Sequence, residues 1–146
     1  MRPFVVCLAV LASLTACDGS SSTSAIGLSL DLSIHKAQWS KRGFHDYTYD
    51  YANAGPLSAA NVHVTVRADT VASLIDTTTG MAPEFPLSVP TIDALFGIAG
   101  AALSAKNTTV NIEFDSQFGY PTVVSASNSN PGGGFAARVS NLQPTQ

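Results

Sequence analysis

Residues 62–75 of the chain, VHVTVRADTVASLI, decide the fold class because they carry the clearest strand pattern in the sequence. In the first half of this segment every second residue is a valine, and the residues between the valines are polar or charged. Side chains alternate between the two faces of a strand, so one face of this strand is buried and the other faces water. Ala68, Asp69 and Thr70 then turn the chain into a second apolar run at residues 71–75. The segment predicts a hairpin in a sheet that is covered on one side.

A strand with an aromatic face precedes the hairpin. Tyr47, Tyr49 and Tyr51 alternate with Thr48 and Asp50, which is the period of a β-strand. If the three rings point outward they form a candidate binding surface, because tyrosine is enriched in protein interfaces.

Residues 28–42 fit both a strand and a helix. The first apolar residues of the segment alternate as in a strand, but a set of four also falls on one helical face. That set consists of Leu28, Leu32, His35 and Trp39. Trp39 extends only the helical pattern, and Gly43 stands where a helix would end. We therefore expect a helix here.

The second half of the chain predicts the same order of elements. Residues 80–90 contain three prolines, which favour an extended crossing segment. Thr91 is placed as the N-cap of a helix over residues 92–103, and Asp93 puts a negative charge in its first turn. Alternating patterns then predict strands over residues 110–114, 121–126 and 135–142.

These elements together predict an α+β fold. We expect an antiparallel sheet with two helices on one face, in the order helix, three strands, helix, three strands. This order suggests two similar halves, although no residue-level repeat is visible. We assign residues 28–143 to this single domain and residues 144–146 to a short tail.

The N-terminal segment resembles a bacterial lipoprotein signal peptide. A short positive start is followed by an apolar stretch at residues 4–14, and then by the sequence Leu14-Thr15-Ala16-Cys17. In the lipobox pattern, a leucine three residues before the cysteine and a small residue just before it fit the lipoprotein signal peptidase. The resemblance implies that residues 1–16 are removed and that Cys17 becomes the lipidated N-terminus.

Lipidation at Cys17 would tie the protein to a membrane of the bacterial cell envelope. Cleavage would also remove Cys7, so the mature domain would have no free thiol for catalysis or metal binding. Asp18 resembles the signal that retains some lipoproteins in the inner membrane, which slightly favours the inner over the outer membrane and leaves both open. Residues 17–27 are rich in Ser, Thr and Gly and predict a flexible tether.

The charge balance argues against nucleic acid as a partner. The chain has 7 Lys and Arg against 10 Asp and Glu, a formal net charge of -3, whereas nucleic-acid binding relies on clustered cations. The sequence also contains no serine-hydrolase elbow and no phosphate-binding loop. We therefore expect no cofactor and no metal, and no motif identifies the protein as an enzyme.

Short motifs between Trp39 and Leu142 resemble an uncharacterised family of bacterial secreted and lipid-anchored domains. They are Trp39, Tyr47-Thr48-Tyr49, Val64-x-Val66, Thr91-Ile92-Asp93-x-Leu95-Phe96, and Gly119-Tyr120-Pro121 after an acidic strand end at Asp115. The chain departs from the family pattern at Ala94, often acidic in members, and at Asp69-Thr70, where a glycine is usual. It also lacks a cysteine pair that some members carry. The resemblance implies a fold and an envelope location, and it implies no activity.

Asp93 and Tyr120 are further candidate binding residues, because they belong to the motifs that carry the resemblance. A helix-start charge and a turn that aims Tyr120 into the core would also explain them. The leading hypothesis is a lipid-anchored binding or interaction module that uses the open sheet face or the tyrosine strand to contact an envelope protein or ligand.

Two other hypotheses belong to different classes of protein. One is a hydrolase that uses His63 or His45 with nearby carboxylates, which requires a pocket that joins a histidine to an acid. The spacing of His45, Asp46 and Asp50 does not indicate that these three converge. The other is an inhibitor or an assembly factor of the envelope.

Overall fold

The computed structural model describes residues 22–54, 59–129 and 134–145. Cys17, its lipobox and the first part of the predicted tether lie outside the described residues. The described chain contains two helices and six strands, and neither helix is long and apolar enough to cross a membrane. The elements are α1 (Ser22–Arg42), β1 (Tyr47–Ala54), β2 (Ala59–Arg67), β3 (Thr70–Asp76), α2 (Ile92–Ser104), β4 (Thr108–Phe114), β5 (Pro121–Asn128) and β6 (Gly134–Pro144).

The six strands form one antiparallel sheet with the order β3-β2-β1-β6-β5-β4. Strands β1–β3 form one meander and β4–β6 form another, and pairing of β1 with β6 joins the two. In register, Tyr51 faces Val62 of β2 on one side and Val139 of β6 on the other. The tyrosine strand therefore lies near the centre of the sheet.

A single hydrophobic core lies between one face of the sheet and the two helices. From the sheet it includes Tyr47, Tyr49, Tyr51, Val62, Val64, Val66, Ile112, Val124, Ala137, Val139 and Leu142. From the helices it includes Leu32, Trp39, Ile92, Leu95, Phe96 and Ala99. Within the described chain both helices thus cover the same face, and the opposite face is left open.

Helix α1 confirms the helical interpretation of residues 28–42. It ends at Arg42, and Gly43 follows with φ +63, a conformation that glycine adopts without a steric penalty. The helix begins at Ser22, earlier than predicted, and so includes part of the segment for which we predicted a tether. Once packing nucleates a helix, extending it by a few residues costs little, even through Ser and Thr.

Helix α2 confirms the predicted cap. The Thr91 side chain accepts a hydrogen bond from the Ala94 N–H at 3.3 Å, which satisfies one free donor of the first turn. Gly100 faces α1, and a Cβ built on it would lie 3.7 Å from Leu32 Cδ2. The small residues of α2 therefore let the two helices approach closely.

The predicted hairpin is also confirmed. Strands β2 and β3 are joined by a two-residue turn in which Ala68 and Asp69 have φ values of 47 and 62. Turns with two positive φ values match the twist of antiparallel strands. The carboxylate of Asp46 accepts a hydrogen bond from the Ala68 N–H at 2.8 Å and holds the turn in place.

The fold prediction was wrong in suggesting two similar halves. Strands make up 44% of the structure and outweigh the two helices. The two meanders also have the same strand order across the sheet but opposite strand directions. A rotation that relates them would place their helices on opposite faces of the sheet, whereas α1 and α2 share one face. The structure is consistent with an α+β class, and it has no internal symmetry.

Candidate functional site

The tyrosine face of strand β1 offers no binding surface. Tyr47 and Tyr49 have no exposed surface, and Tyr51 is 7% exposed. The Tyr47 hydroxyl accepts a hydrogen bond from the Ile92 N–H at 3.2 Å, and the Tyr49 hydroxyl donates to the Pro90 carbonyl. Burial raises the pKa of Tyr47 to about 12 and also raises the pKa of Tyr49. These protonated side chains instead fix the place where α2 begins.

Asp93 joins the two helices. Its Oδ2 accepts a hydrogen bond from Trp39 Nε1 at 3.2 Å, and its charge lies in the first turn of α2. A carboxylate at this position complements the positive end of the helix dipole. These contacts give Asp93 a structural role.

Tyr120 belongs to the core rather than to a surface. It is 5% exposed, and its ring packs edge-on against the Trp39 ring with 6.4 Å between the ring centroids. Gly119 precedes it with φ +82, and a Cβ there would lie 2.9 Å from Gln38 Oε1. The glycine lets the turn after β4 pass close to α1 and directs Tyr120 inward.

His45, Asp46 and Asp50 do not converge, in agreement with the prediction from their spacing. His45 Nδ1 lies 2.8 Å from Asp69 Oδ2 at the exposed β2–β3 turn, and Asp46 also faces that turn. Asp50 interacts with His63 instead. No group of three metal-ligating side chains of the His, Cys, Asp or Glu type occurs in the part of the chain that the structure describes.

The face of the sheet opposite the helices, which we call the open face, is the candidate functional surface. Its side chains are mostly small or polar, and strand pairing places them side by side. They include Asp50, Ala52, Ala54, Asn61, His63, Val123, Ser125, Ala136, Arg138 and Ser140.

Two adjoining hollows indent the open face. Their volumes are about 240 and 330 Å³, and both are lined by Ala52, Asn61 and Arg138. We call the two together the Arg138 hollow. Ala54 and Ala136 line the larger one, and their short side chains leave space above the sheet. Volumes in this range suit a small ligand or one group of a larger ligand.

A hydrogen-bonded network occupies one side of this hollow. Asp50 Oδ1 lies 2.7 Å from His63 Nδ1, and Asp50 Oδ2 accepts from Asn141 Nδ2 at 2.7 Å. A carboxylate only accepts hydrogen bonds, so Nδ1 of His63 carries the proton. Partial burial alone would raise the pKa of Asp50, but the bonds from Asn141 and His63 outweigh it and lower that pKa. Asp50 is therefore a carboxylate with both oxygens engaged.

Arg138 has a different environment from the other arginines of the described chain. It is exposed in the hollow and pairs in register with Ala52 and Val123, and no described residue forms a hydrogen bond or ion pair with its guanidinium. Arg67, by contrast, donates to Thr145 Oγ1 at 2.6 Å, and Arg42 donates to a main-chain carbonyl. Arg138 can therefore accept a ligand without giving up an existing partner among these residues.

Reasoning from the sequence identified the open face but missed Arg138 and Asn141. The alternation of β6 could have placed Arg138 on the side opposite Val139. Asn141 gave no such signal, because a bulge between the β1 and β6 registers and a φ of 53 at Asn141 break the alternation. The hollow needs the neighbours β1, β2, β5 and β6, which no local pattern reveals.

Comparison with known proteins gives a family and no activity. Residues 31–142 match a protein family described as a family of unknown function, DUF6174. Neither a curated protein nor a solved structure matches the chain significantly. The match covers most of the chain, from Asp31 in α1 to Leu142 in β6, and includes all of α2 and of strands β1 to β5. The chain therefore belongs to the DUF6174 family.

Proposed function

We propose that this protein is a lipid-anchored component of the bacterial cell envelope that binds a ligand with an anionic group in the Arg138 hollow. The observation that carries the proposal is a guanidinium without a partner among the described residues, in a hollow on the uncovered face of the sheet. Guanidinium groups bind carboxylates and phosphates through paired hydrogen bonds.

The surroundings of Arg138 favour an anion over a neutral ligand. Asp50, the acid that lines the hollow with Arg138, already has both oxygens engaged by His63 and Asn141 and forms no ion pair with Arg138. Asn61 and Ser140 line the hollow and can supply further hydrogen bonds. The alanines leave room for the body of the ligand.

The lipid anchor rests on the N-terminal sequence. Leu14, Ala16 and Cys17 match the three informative positions of the lipobox, after an apolar stretch of signal-peptide length. An anchor of two or three acyl chains holds a protein on a membrane far more firmly than the marginal single-chain case.

The binding proposal is tested by nuclear magnetic resonance of the acylated chain in lipid nanodiscs. Inorganic phosphate and N-acetylalanine serve as anionic probes, and the amide shifts of Ala52, Val123 and Arg138 report binding. We expect shifts in the wild type and in the control Arg67→Gln, and none in Arg138→Gln. Unchanged open-face spectra with both probes, or equal shifts in Arg138→Gln, would contradict the proposal.

A hydrolase is a second candidate, favoured by the contact between His63 and Asp50. An acid that holds Nδ1 of a histidine leaves Nε2 free to take a proton, as in hydrolytic sites. No described hydroxyl is hydrogen-bonded to His63, so water would be the nucleophile. Hydrolysis of p-nitrophenyl acetate that disappears in His63→Gln and persists in His45→Gln would support this function. Equal background rates in all three proteins would exclude it for esters.

A further inference from the structure

Helix α1 has a second apolar face that points away from the core. Ile26, Leu30 and Ile34 are spaced four residues apart and therefore form one row along the helix, which we call the outer stripe. Their exposures are 72%, 60% and 46%. They are three of the large hydrophobic side chains that the described structure leaves most open to water.

The outer stripe lies on the side of α1 opposite its core face. Leu32 and Trp39, which are buried, point toward the sheet and α2. At 100° per residue, Leu30 lies about 160° from Leu32 around the helix axis. The helix is therefore apolar on two opposite sides, and only one side has a partner in the described chain.

The position of the stripe along the chain points to its occupant. Ser22, the first residue of α1, is five residues after Cys17, and an extended chain of five residues reaches at most about 18 Å. A lipid on Cys17 therefore holds the start of α1 close to the membrane surface. The stripe begins four residues after Ser22, at the end of the helix nearest the anchor.

The charge aligned with the stripe, Lys41, suits an anionic lipid surface. Lys41 is exposed and lies about 20° from Leu30 around the helix axis, whereas the exposed Asp31 lies about 100° and Lys36 about 120° from Leu30. Basic residues beside an apolar row are typical of helices that lie in a membrane interface. A second copy of the chain is a weaker fit, because a stable dimer buries about 800 Å² per partner and three aliphatic side chains supply only part of that.

We propose that the outer stripe of α1 lies in the lipid headgroup region, with the helix parallel to the membrane. This inference rests on the proposed lipid anchor and deepens it from an attachment point to an orientation. The sheet then sits on the far side of α1, and the open face with the Arg138 hollow points away from the membrane. A ligand in the aqueous compartment can reach the hollow without crossing the lipid surface.

The orientation is tested with single fluorescent labels on the acylated full chain. Leu30→Cys carries a nitrobenzoxadiazole probe on the stripe, and Thr109→Cys carries the same probe on the exposed edge strand β4 as the matched control. The acylated chain has no other free thiol. The proteins are reconstituted in phosphatidylethanolamine and phosphatidylglycerol vesicles that contain lipids with a spin-label quencher.

We expect the Leu30 probe to shift to shorter wavelength and to be quenched several-fold more than the Thr109 probe. Adding Ile26→Asp and Ile34→Asp to the Leu30 variant should abolish the difference while the protein still floats with the vesicles. An acylated, vesicle-bound protein with both probes equally exposed to water would overturn the orientation alone. Protein without acyl groups that does not float would overturn the anchor and the orientation together. The Leu30 probe could instead be shielded from water without being quenched by the spin-labelled lipids, to a degree that rises with protein concentration. That result would show a second copy of the chain on the stripe and would overturn the proposal.

Discussion

The indole N–H of Trp39 donates a hydrogen bond to Oδ2 of Asp93 at 3.2 Å, joining the last turns of α1 to the first turn of α2. This contact explains the motif Thr91-Ile92-Asp93-x-Leu95-Phe96, in which Asp93 was a candidate binding residue. Thr91 caps α2, Ile92 is buried and donates to Tyr47, and Asp93 meets Trp39. The intervening Ala94 is exposed. The motif builds the junction between both helices and the tyrosine strand.

Replacing Asp93 should therefore affect stability and leave ligand binding intact. Asp93→Ala loses the bond from Trp39 and the favourable charge at the helix start, and we expect a loss of about 1 kcal/mol in unfolding free energy. Asp93→Asn keeps an acceptor and should lose less. Urea denaturation measures both effects, and a double-mutant cycle with Trp39→Phe isolates the shared contact. A variant with full stability but altered phosphate binding would show that Asp93 is a site residue.

Replacing Gly119 with alanine should destabilise the protein, whereas replacing Gly97 with alanine should not. An alanine at Gly119 would have φ +82 and a Cβ 3.3 Å from the His35 carbonyl oxygen, so we expect Gly119→Ala to lose about 1–3 kcal/mol. Gly97 lies in α2 with nothing within 4 Å of an added Cβ, and Gly97→Ala should gain up to about 1 kcal/mol. Thermal unfolding of the two variants provides the comparison. Equal changes in both would contradict the close approach of the β4–β5 turn to α1.

The β2–β3 turn should become more stable when Ala68 is replaced with asparagine. Ala68 has φ 47, which costs a residue with a Cβ about 1–2 kcal/mol. Ala68→Asn keeps the N–H that bonds to Asp46 and suits the first position of such turns. We expect the midpoint of urea denaturation to rise in Ala68→Asn and to stay unchanged in Ala72→Asn on the exposed part of β3. A fall in the Ala68→Asn midpoint would mean that the turn has another conformation.

Acid should weaken the Asp50 network. The pKa of Asp50 is lower in the folded protein than in the unfolded chain, so its contribution is complete above the unfolded value of about 3.9 and is lost as the pH falls through the folded value. The wild type should be more stable than Asp50→Asn at neutral pH, and the difference should shrink below about pH 4. Denaturation at several pH values measures it. A difference that stays constant down to the acid limit would contradict the lowered pKa.

The helices, strands and caps of this fold follow from local patterns. Trp39 distinguished helix from strand in α1 because only a helix aligns it with Leu32. The alternation of Tyr47 and Tyr49 identified β1 as a strand with one aromatic face. Alternation shows that a strand has two faces, but it does not show which face the helices cover, so the rings could be assigned to the wrong side.

Local sequence patterns do not predict which distant strands pair with each other. The contact of β1 with β6 places Arg138 beside Ala52, which is 86 positions away in the chain. The Arg138 hollow and the Asp50 network both depend on this pairing and on the bulge near Asn141. The start of α1 within a Ser-, Thr- and Gly-rich segment likewise reflects propagation from a packed helix rather than the preference of those residues.

The proposed location and orientation of this protein both depend on lipidation of Cys17. Intact-mass spectrometry of the protein purified from bacterial membranes tests this lipidation directly. We predict a chain that begins at Cys17, with residues 1–16 removed and the added mass of two or three acyl chains. Cys17→Ala should yield no acylated species and should leave the membrane fraction. A wild-type chain that retains residues 1–16, or begins elsewhere without acyl groups, would contradict the account.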